Sequence, residues 1–172
     1  MNTDIQFKSV IEENKDRIYR ICSCYVRDND ERNDVYQEVL IHIWESLRKF
    51  EGKSRISTWI YRVTVNTCLG YLRSENRRNG IFARSTQVDQ SNIPEQVSTE
   101  ESNRMEKEIQ ELYRCINQLG QLEKTLVSLY LEDVTTKEMA DIVGISEANV
   151  RVKLHRIKKS LKDNLKENEH GS

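Results

Sequence analysis

The chain has 172 residues, of which 37% are hydrophobic and 32% charged, and its formal net charge is −1. This size suffices for two small cores and is small for a single large enzyme, so we expect two compact units. One proline and six glycines favour helices over a turn-rich β architecture, so the predicted fold class is all-α. Since there is no apolar run of about 18 residues and no apolar leader, we expect a cytoplasmic protein without direct membrane insertion.

The four cysteines are Cys22, Cys24, Cys68 and Cys115. They form no pair of CxxC motifs at metal-ligand spacing, so we expect no metal site and no cofactor. Cys22 and Cys24 are two residues apart, which places them on different sides of a helix. Buried or unreactive thiols therefore fit better than a redox pair, and the compartment is predicted to be reducing.

Three segments in the first half of the chain carry apolar residues at helical spacing, which predicts a bundle of at least three amphipathic helices. The apolar positions are Phe7, Val10, Ile11, Ile18, Ile21 and Cys22, then Val35, Val39, Ile43 and Leu47, and then Ile56, Ile60 and Val63.

The third of these helices carries a polar stripe roughly 60° wide that we expect to remain free. Its members are Arg55, Trp59, Arg62, Asn66 and Arg73. Arginines beside an aromatic ring are typical of single-stranded nucleic-acid binding, because guanidinium groups meet phosphates and rings stack on bases. The preceding loop, "FEGKSRIST", is able to wrap an extruded base. Taken alone, Trp59 fits a core position better than a base platform.

Charge is segregated along the chain despite the near-neutral total. Residues 51–84 hold seven basic and two acidic side chains, residues 85–113 hold seven acidic and two basic ones, and residues 146–166 return to seven basic and two acidic. The acidic strip contains the only proline and little apolar periodicity, so it is predicted to be a linker that becomes helical near Arg104. Its composition fits a solvated tether.

After the linker, apolar residues again recur at helical spacing, at Leu112, Ile116 and Leu119 and then at Leu122, Leu126, Leu129 and Tyr130. The segment "TTKEMADIVGISEANVRVKLHRIKKSL" follows and predicts a helix-turn-helix. Thr135 and Glu138 form a capping box, Gly144 supplies a left-handed turn, and Ser146 caps the second helix.

The second helix of this hairpin has two contrasting faces. Its apolar face comprises Val150, Leu154, Ile157 and Leu161, and the opposite face carries Arg151, His155, Lys158, Lys159 and Lys162 with the small residues Ala148 and Val152. Such a basic face suits the DNA major groove, where cations meet phosphates and small side chains let the helix approach base edges. The alternative is an ordinary solvated lysine-rich face. His155 is assigned to DNA because no second metal ligand lies near it.

The run "DVYQEVLIHIWESLRKFEGKSRISTWIYRVTVNTCLGYLR" resembles the second conserved region of bacterial sigma factors of the extracytoplasmic-function group. The hairpin from Leu119 to Leu161 resembles their fourth region. The motif residues are Asp34, Gln37, Glu38, Val39, Trp44, Phe50, Gly52, Thr58, Trp59, Tyr61, Arg62 and Asn66. This chain departs from the family pattern at Leu119-Gly120, where the family usually has Leu-Pro. The departure puts the geometry at the start of that helix in question.

The resemblance implies a promoter-specificity subunit that binds core RNA polymerase, recognises duplex −35 DNA and opens the −10 element as single strands. It implies an N-terminal domain at 1–80, an acidic linker at 81–107 and a C-terminal domain at 108–168. Three sets of contact residues follow. The polymerase-binding set is Asp34, Gln37, Glu38 and Ile41; the −10 set is Lys53, Ser54, Arg55, Ser57, Thr58, Trp59, Arg62 and Asn66; the −35 set is Ala148, Asn149, Arg151, Val152, His155, Arg156 and Lys159.

The family also implies an anti-sigma factor as a partner, and a linker that enters the polymerase cleft and mimics nucleic acid. Two other interpretations compete with this one. A dimeric helix-turn-helix regulator would explain the hairpin but not the arginine and tryptophan stripe. An enzyme acting on nucleic acid would need paired carboxylates, a nucleophile with its base or a phosphate-binding glycine loop, none of which the sequence offers, so we expect no catalytic residues.

Overall fold

The computed structural model describes residues 3–81 and 100–170, and these ranges form seven α-helices without strands, which confirms the all-α prediction. The helices are α1 (Thr3–Ser23), α2 (Asn29–Leu47), α3 (Ile56–Ile81), α4 (Glu100–Asn117), α5 (Gln121–Leu131), α6 (Thr136–Val143) and α7 (Glu147–His170). Residues 82–99 of the predicted linker lie outside the described residues, and residues 100–107 belong to α4.

Helices α1, α2 and α3 pack on one another as a three-helix bundle. The predicted apolar positions form its core, and the fully buried ones include Ile18, Ile21, Val35, Val39, Ile43 and Ile60. Helix α2 begins where the Asp28 carboxylate accepts hydrogen bonds from the backbone N–H groups of Asp30 (2.9 Å) and Glu31 (3.0 Å). An aspartate N-cap satisfies donors that the first helical turn leaves unpaired.

Helices α4 to α7 form a second unit around its own apolar residues. Its buried side chains include Ile116, Leu126, Leu129, Met139, Val150 and Leu154. The glycine that replaces the family's usual proline does not disturb α5. Gly120 is the N-cap in an extended conformation, and its N–H donates to the Glu123 carboxylate at 3.1 Å.

The turn chemistry predicted for the helix-turn-helix is confirmed. Thr135 Oγ1 accepts from the N–H of Glu138, and the Glu138 carboxylate accepts from the N–H of Thr135, both at 3.2 Å. Gly144 ends α6 at φ +78°, in the left-handed region. Ser146 Oγ accepts from the N–H of Asn149 at 3.2 Å and so caps α7.

We expect Gly144→Ala to lower the free energy of unfolding by about 1–2 kcal/mol, because its φ is positive and a β-carbon there meets the backbone penalty of the left-handed region. The matched control is Gly80→Ala in α3, where φ is helical and the space is also open. That change should stabilise the helix by up to about 1 kcal/mol. Urea denaturation checks both, and an equal loss for the two variants would contradict the backbone explanation.

The two units pack against each other, with α5 on α1 and α3 and α6 on α3. Tyr25 and Thr125 share a buried hydrogen bond of 2.8 Å between their hydroxyl groups. The Asn117 side chain donates to the carbonyl of Ser23 at 3.2 Å. The apolar cores of the two units are therefore continuous.

All four cysteines are free and buried, as predicted. The Sγ atoms of Cys22 and Cys68 are 3.9 Å apart, and their hydrogen bond together with burial raises the pKa of the Cys68 thiol. Burial likewise raises the pKa of Cys24 and of Cys115. Within residues 3–81 and 100–170, no group of three or more His, Cys, Asp or Glu residues is placed to hold a metal, and no helix is long and apolar enough to cross a membrane.

Candidate functional site

The exposed face of α7 presents every side chain predicted for duplex binding. Ala148, Asn149, Arg151, Val152, His155, Arg156 and Lys159 are all exposed, and the apolar face of the helix packs inward. Arg151 Nη2 donates to the Glu147 carboxylate at 2.6 Å, and Thr136 Oγ1 donates to the same oxygen at 2.7 Å. Both bonds lower the pKa of the Glu147 carboxyl group, and the bond from Thr136 has the larger effect. The carboxylate thus ties the first turn of α7 to α6 and orients Arg151.

Val152 is an apolar residue in the middle of this basic face, and its side chain is 50% exposed. An exposed valine contributes little to the core, but an apolar side chain suits the methyl group of thymine in a major groove. The surrounding cations suit phosphates. The face therefore combines exposed cations with one exposed apolar side chain, a composition that suits a major groove.

The stripe predicted for single strands runs from the loop before α3 along this helix to Arg73. Lys53, Ser54, Arg55, Arg62, Asn66 and Arg73 are exposed, and Ser57 and Trp59 are half-buried. The Trp59 ring packs on Phe50 with 5.2 Å between centroids and an interplanar angle of 48°. Gly52, in the loop before α3, has a φ of +69°, in the left-handed region that favours glycine.

Helix α6 of the second unit lies beside this stripe, and Arg55, Arg62, Asn66 and Arg73 remain exposed next to it. Thr58 is only 5% exposed, and its hydroxyl donates to the Glu138 carboxylate at 2.8 Å. Arg62 Nη2 donates to the carbonyl of Asp141 at 3.2 Å. Arg55 Nη1 lies 3.9 Å from the Glu138 carboxylate. Helical periodicity describes one helix and carries no information about a distant segment that packs on it.

Glu138 is the central acidic group of this contact. Burial alone would raise the pKa of its carboxyl group, but hydrogen bonds from Thr58 and Thr135 and the nearby Arg55 charge outweigh burial and lower it. The side chain is therefore an anion held by donors from both units. The surface predicted for DNA phosphate groups already binds a carboxylate.

The outer face of α2 exposes the four residues predicted for polymerase binding, Asp34, Gln37, Glu38 and Ile41. Ile41 is 55% exposed, and Trp44, one turn further along, is 44% exposed. The Arg48 guanidinium lies 5.8 Å from the centroid of the Trp44 ring. The sequence-based set omitted Trp44, although its position three residues after Ile41 places it beside that side chain on a helix.

A second surface that the sequence-based sets omitted is an apolar groove of about 340 Å³ between α4, α5 and α7. Its apolar lining is Leu112, Val127, Tyr130, Leu131, Leu161 and Leu165, and its rim is Lys158, Lys162 and Lys166. Lys158 Nζ lies 4.9 Å from the centroid of the Tyr130 ring. Tyr130 fits the apolar periodicity of α5 but is 42% exposed, so periodicity alone had placed it in the core.

Two protein-family descriptions match the chain. "Sigma-70 region 2" matches residues 10–78, which include most of α1, all of α2 and most of α3. "Sigma-70, region 4" matches residues 109–161, which include α5, α6 and the larger part of α7. The matched ranges contain all the side chains of the three predicted contact sets.

Among similar curated proteins, the ECF RNA polymerase sigma factor SigW of Bacillus subtilis is 24% identical over 94% of this chain and 89% of its own length. The ECF RNA polymerase sigma-E factor of Haemophilus influenzae is 27% identical over 92% of this chain and 87% of its own length. Among solved structures, the sigma factor RpoE in complex with the anti-sigma factor NepR from Bartonella quintana has a TM-score of 0.77. It is 17% identical and covers 94% of this chain and 97% of its own. CnrH in complex with the cytosolic domain of CnrY has a TM-score of 0.64 at 15% identity, over 93% of this chain and 87% of its own.

Proposed function

Because the chain belongs to the extracytoplasmic-function group of the sigma-70 family of RNA polymerase sigma factors, we propose that three of its surfaces divide the work of transcription initiation. Residues 1–80 bind core polymerase and the −10 element, residues 81–107 link the units, and residues 108–168 bind the −35 element. The protein acts as an initiation factor with no catalytic residue of its own. Since its partners are the polymerase and the chromosome, it acts in the cytoplasm.

The observation that carries this proposal is the exposed basic face of α7 in a helix-turn-helix of the sigma-70 region 4 type. Its side chains enter the major groove of the −35 element, as recognition helices do. Arg151 and Lys159 meet phosphates or base edges, and Val152 makes the apolar contact. The alternative of an ordinary solvated face does not account for the match of this segment to sigma-70 region 4.

The −10 element is bound as a single strand by the α3 stripe and its loop. Opening a few base pairs costs roughly 1.4 kcal/mol per stacking step, which a near-neutral protein of this size does not supply alone. Stacking on Trp59 and the guanidinium groups of Arg55 and Arg62 offset part of that cost once polymerase holds the duplex. The near-neutral net charge of the protein thus fits a dependence on core polymerase for promoter opening.

The α2 face is the contact with core polymerase. Its three polar residues surround an exposed apolar centre at Ile41, a composition that suits a basic coiled coil with an apolar seam. Trp44 extends this apolar centre by one helical turn. Trp and other aromatic residues are enriched among the side chains that dominate binding energy at protein interfaces.

An anti-sigma factor is a further proposed partner. RpoE and CnrH, which have the same fold, were each solved in complex with another protein, NepR or a domain of CnrY. In the present chain, the lysine-rimmed groove between α4, α5 and α7 has the shape and charge to accept an acidic amphipathic helix. The groove includes Lys158 and Lys162 of the basic face of α7 but none of the seven side chains proposed for −35 DNA.

The test is run-off transcription with core polymerase on a promoter library, with and without this protein. We expect initiation from a defined subset of promoters that requires core polymerase. Asp34→Ala should weaken core binding by about tenfold or more, as loss of a charged interface contact does. Asp16→Ala, which removes an exposed carboxylate from α1 instead, should leave core binding unchanged.

The two competing functions predict different outcomes of the same experiment. If the protein alone shifted duplex DNA as a dimer and core polymerase gave no initiation, a helix-turn-helix regulator would replace the sigma proposal. Covalent change in the DNA without polymerase would indicate an enzyme.

A further inference from the structure

Four exposed apolar side chains of the second unit lie in or next to the walls of the groove between α4, α5 and α7. They are Met105 and Ile109 on α4 and Tyr130 and Leu131 on α5, and they are more than half of the large hydrophobic side chains exposed in the described ranges. Tyr130 and Leu131 line the groove itself. Single exposed apolar residues are common on proteins, but a patch of them beside a groove is typical of an interaction surface.

The exposed apolar stripe of α4 continues one wall of this groove. Met105, Ile109 and Leu112 follow one another at spacings of four and three residues, so they lie within about 60° on one side of the helix. Leu112 lines the groove, whereas Met105 is 65% exposed and Ile109 45% exposed. The stripe therefore runs about two helical turns beyond the groove without a covering element in the part of the chain that the structure describes.

The charges beside this surface have opposite signs on its two sides. The rim that α7 contributes is basic and consists of Lys158, Lys162 and Lys166. Helix α4 holds five glutamates and three basic residues, and Glu101 and Glu108 lie next to the apolar stripe on the helical projection. One molecule thus carries an apolar groove with a basic rim and also an apolar helix stripe with an acidic edge.

We propose that the free protein associates with a second copy of itself through this surface, with the α4 stripe of each copy against the groove of the other. A two-fold interface uses the same patch on both subunits, so the patch must complement itself. This patch does so, because it holds both the acidic helix stripe and the basic groove. The occupant is therefore defined by shape and by charge.

The spacing of the stripe also fits a two-fold axis beside Ile109. This residue lies close to the midpoint between Met105 and Leu112. An antiparallel pair of α4 helices about that axis therefore brings Met105 of each copy to Leu112 of the other, at the wall of the groove. Ile109 of one copy then meets Ile109 of the second copy at the axis.

This association goes beyond the proposed function, because no side chain of the three proposed contact sets lies on α4 or lines the groove. A second copy and an anti-sigma factor would exclude each other there, since the same groove is proposed for both. Such a dimer does not favour the helix-turn-helix regulator. That alternative also requires the protein alone to shift duplex DNA and core polymerase to give no initiation.

Sedimentation equilibrium of the full chain without polymerase measures the association. A small interface of this kind belongs to the transient class, so we expect a Kd on the order of 10 μM. Met105→Lys places a charge in the apolar stripe and should weaken the dimer by about tenfold or more, as loss of a central interface residue does. Gln110→Lys is the matched control, because it adds the same charge at an exposed position on another side of α4. It should leave the Kd nearly unchanged.

A second pair of variants tests the charge complementarity. Lys162→Glu sets an anion against the acidic edge of the other copy and should weaken the dimer by about tenfold, because like charges across an interface repel. Lys8→Glu makes the same charge change at an exposed position of α1, in the first unit, and should have little effect.

A cysteine at position 109 tests the place of the axis. The four native cysteines are buried, so a new exposed thiol reacts without competition from them. Two copies of Ile109→Cys should form a covalent dimer under mild oxidation, since residues at a two-fold axis meet their counterparts and a disulfide needs Cα atoms within about 7 Å. Gln110→Cys, on another side of the helix, should form far less. Non-reducing electrophoresis measures both.

Three outcomes would overturn the inference: a wild type that stays monomeric well above the expected Kd, equal weakening by Met105→Lys and Gln110→Lys, or equal cross-linking of the two cysteine variants. A monomeric wild type would leave the groove to a different partner, such as the proposed anti-sigma factor. Circular dichroism of each variant checks that helix content is retained, and the exposed positions of Met105, Gln110 and Lys162 make loss of folding an inadequate explanation of a weaker dimer.

Discussion

The Arg62→Glu variant should lose core-dependent initiation by about 100-fold or more while it still binds core polymerase. A negative side chain placed against a phosphate costs several kcal/mol, and each 1.4 kcal/mol is about a factor of ten in binding. Arg62 is exposed on α3 beside the half-buried Trp59, and the polymerase-binding set lies on α2. The measurement is run-off transcription from a promoter of the responsive subset, with core binding assayed in parallel.

The matched control for this variant is Arg77→Glu. It makes the same charge change at another exposed position of α3, about four helical turns from Arg62 and outside the −10 set. It should reduce initiation far less. Equal losses in the two variants would indicate a general charge effect and contradict the assigned role.

Val152→Glu should abolish initiation at promoters of the responsive subset, with a loss of about 100-fold in binding of −35 DNA by the holoenzyme. The change removes an apolar contact to a base and places an anion in the major groove, so that base discrimination of about 1–3 kcal/mol is lost and repulsion is added. Because Val152 is half-exposed, its replacement should leave the free energy of unfolding nearly unchanged. Filter binding at fixed salt and urea denaturation measure the two quantities.

The control here is Asn164→Glu, which adds the same charge at an exposed position further along α7. Its effect on promoter binding should be several-fold at most, because long-range repulsion is screened by salt. If Asn164→Glu were as damaging as Val152→Glu, the loss would come from overall charge. The side chain of Val152 would then have no specific contact.

The helix-turn-helix could be predicted in detail because its determinants are local. Thr135 and Glu138 are three residues apart, and Ser146 caps a helix that begins at the next residue. Gly144 is required by the backbone conformation of a single residue. Such features depend on neighbouring residues alone, so sequence order specifies them almost completely.

The contacts of Arg55, Thr58 and Arg62 with α6 could not be predicted in this way. The partners Glu138 and Asp141 are about eighty positions later in the chain, and the sequence gives them an obvious local role in α6. The groove between α4, α5 and α7 was missed for the same reason, since its walls come from three helices. Periodicity identifies the apolar side of each helix but not the gap that remains when several helices meet.

The reactivity of the four buried thiols can report how often each unit of the protein opens locally. A thiol reagent in solvent cannot reach Cys22 or Cys68 while the three-helix bundle is intact, since both are fully buried between α1 and α3. Their labelling rate therefore reports how often the bundle opens far enough to admit the reagent. Cys115, in α4 of the second unit, reports on the other half of the chain. Mass spectrometry of labelled peptides would thus time the motions of the two units separately, in a single sample and without an added probe.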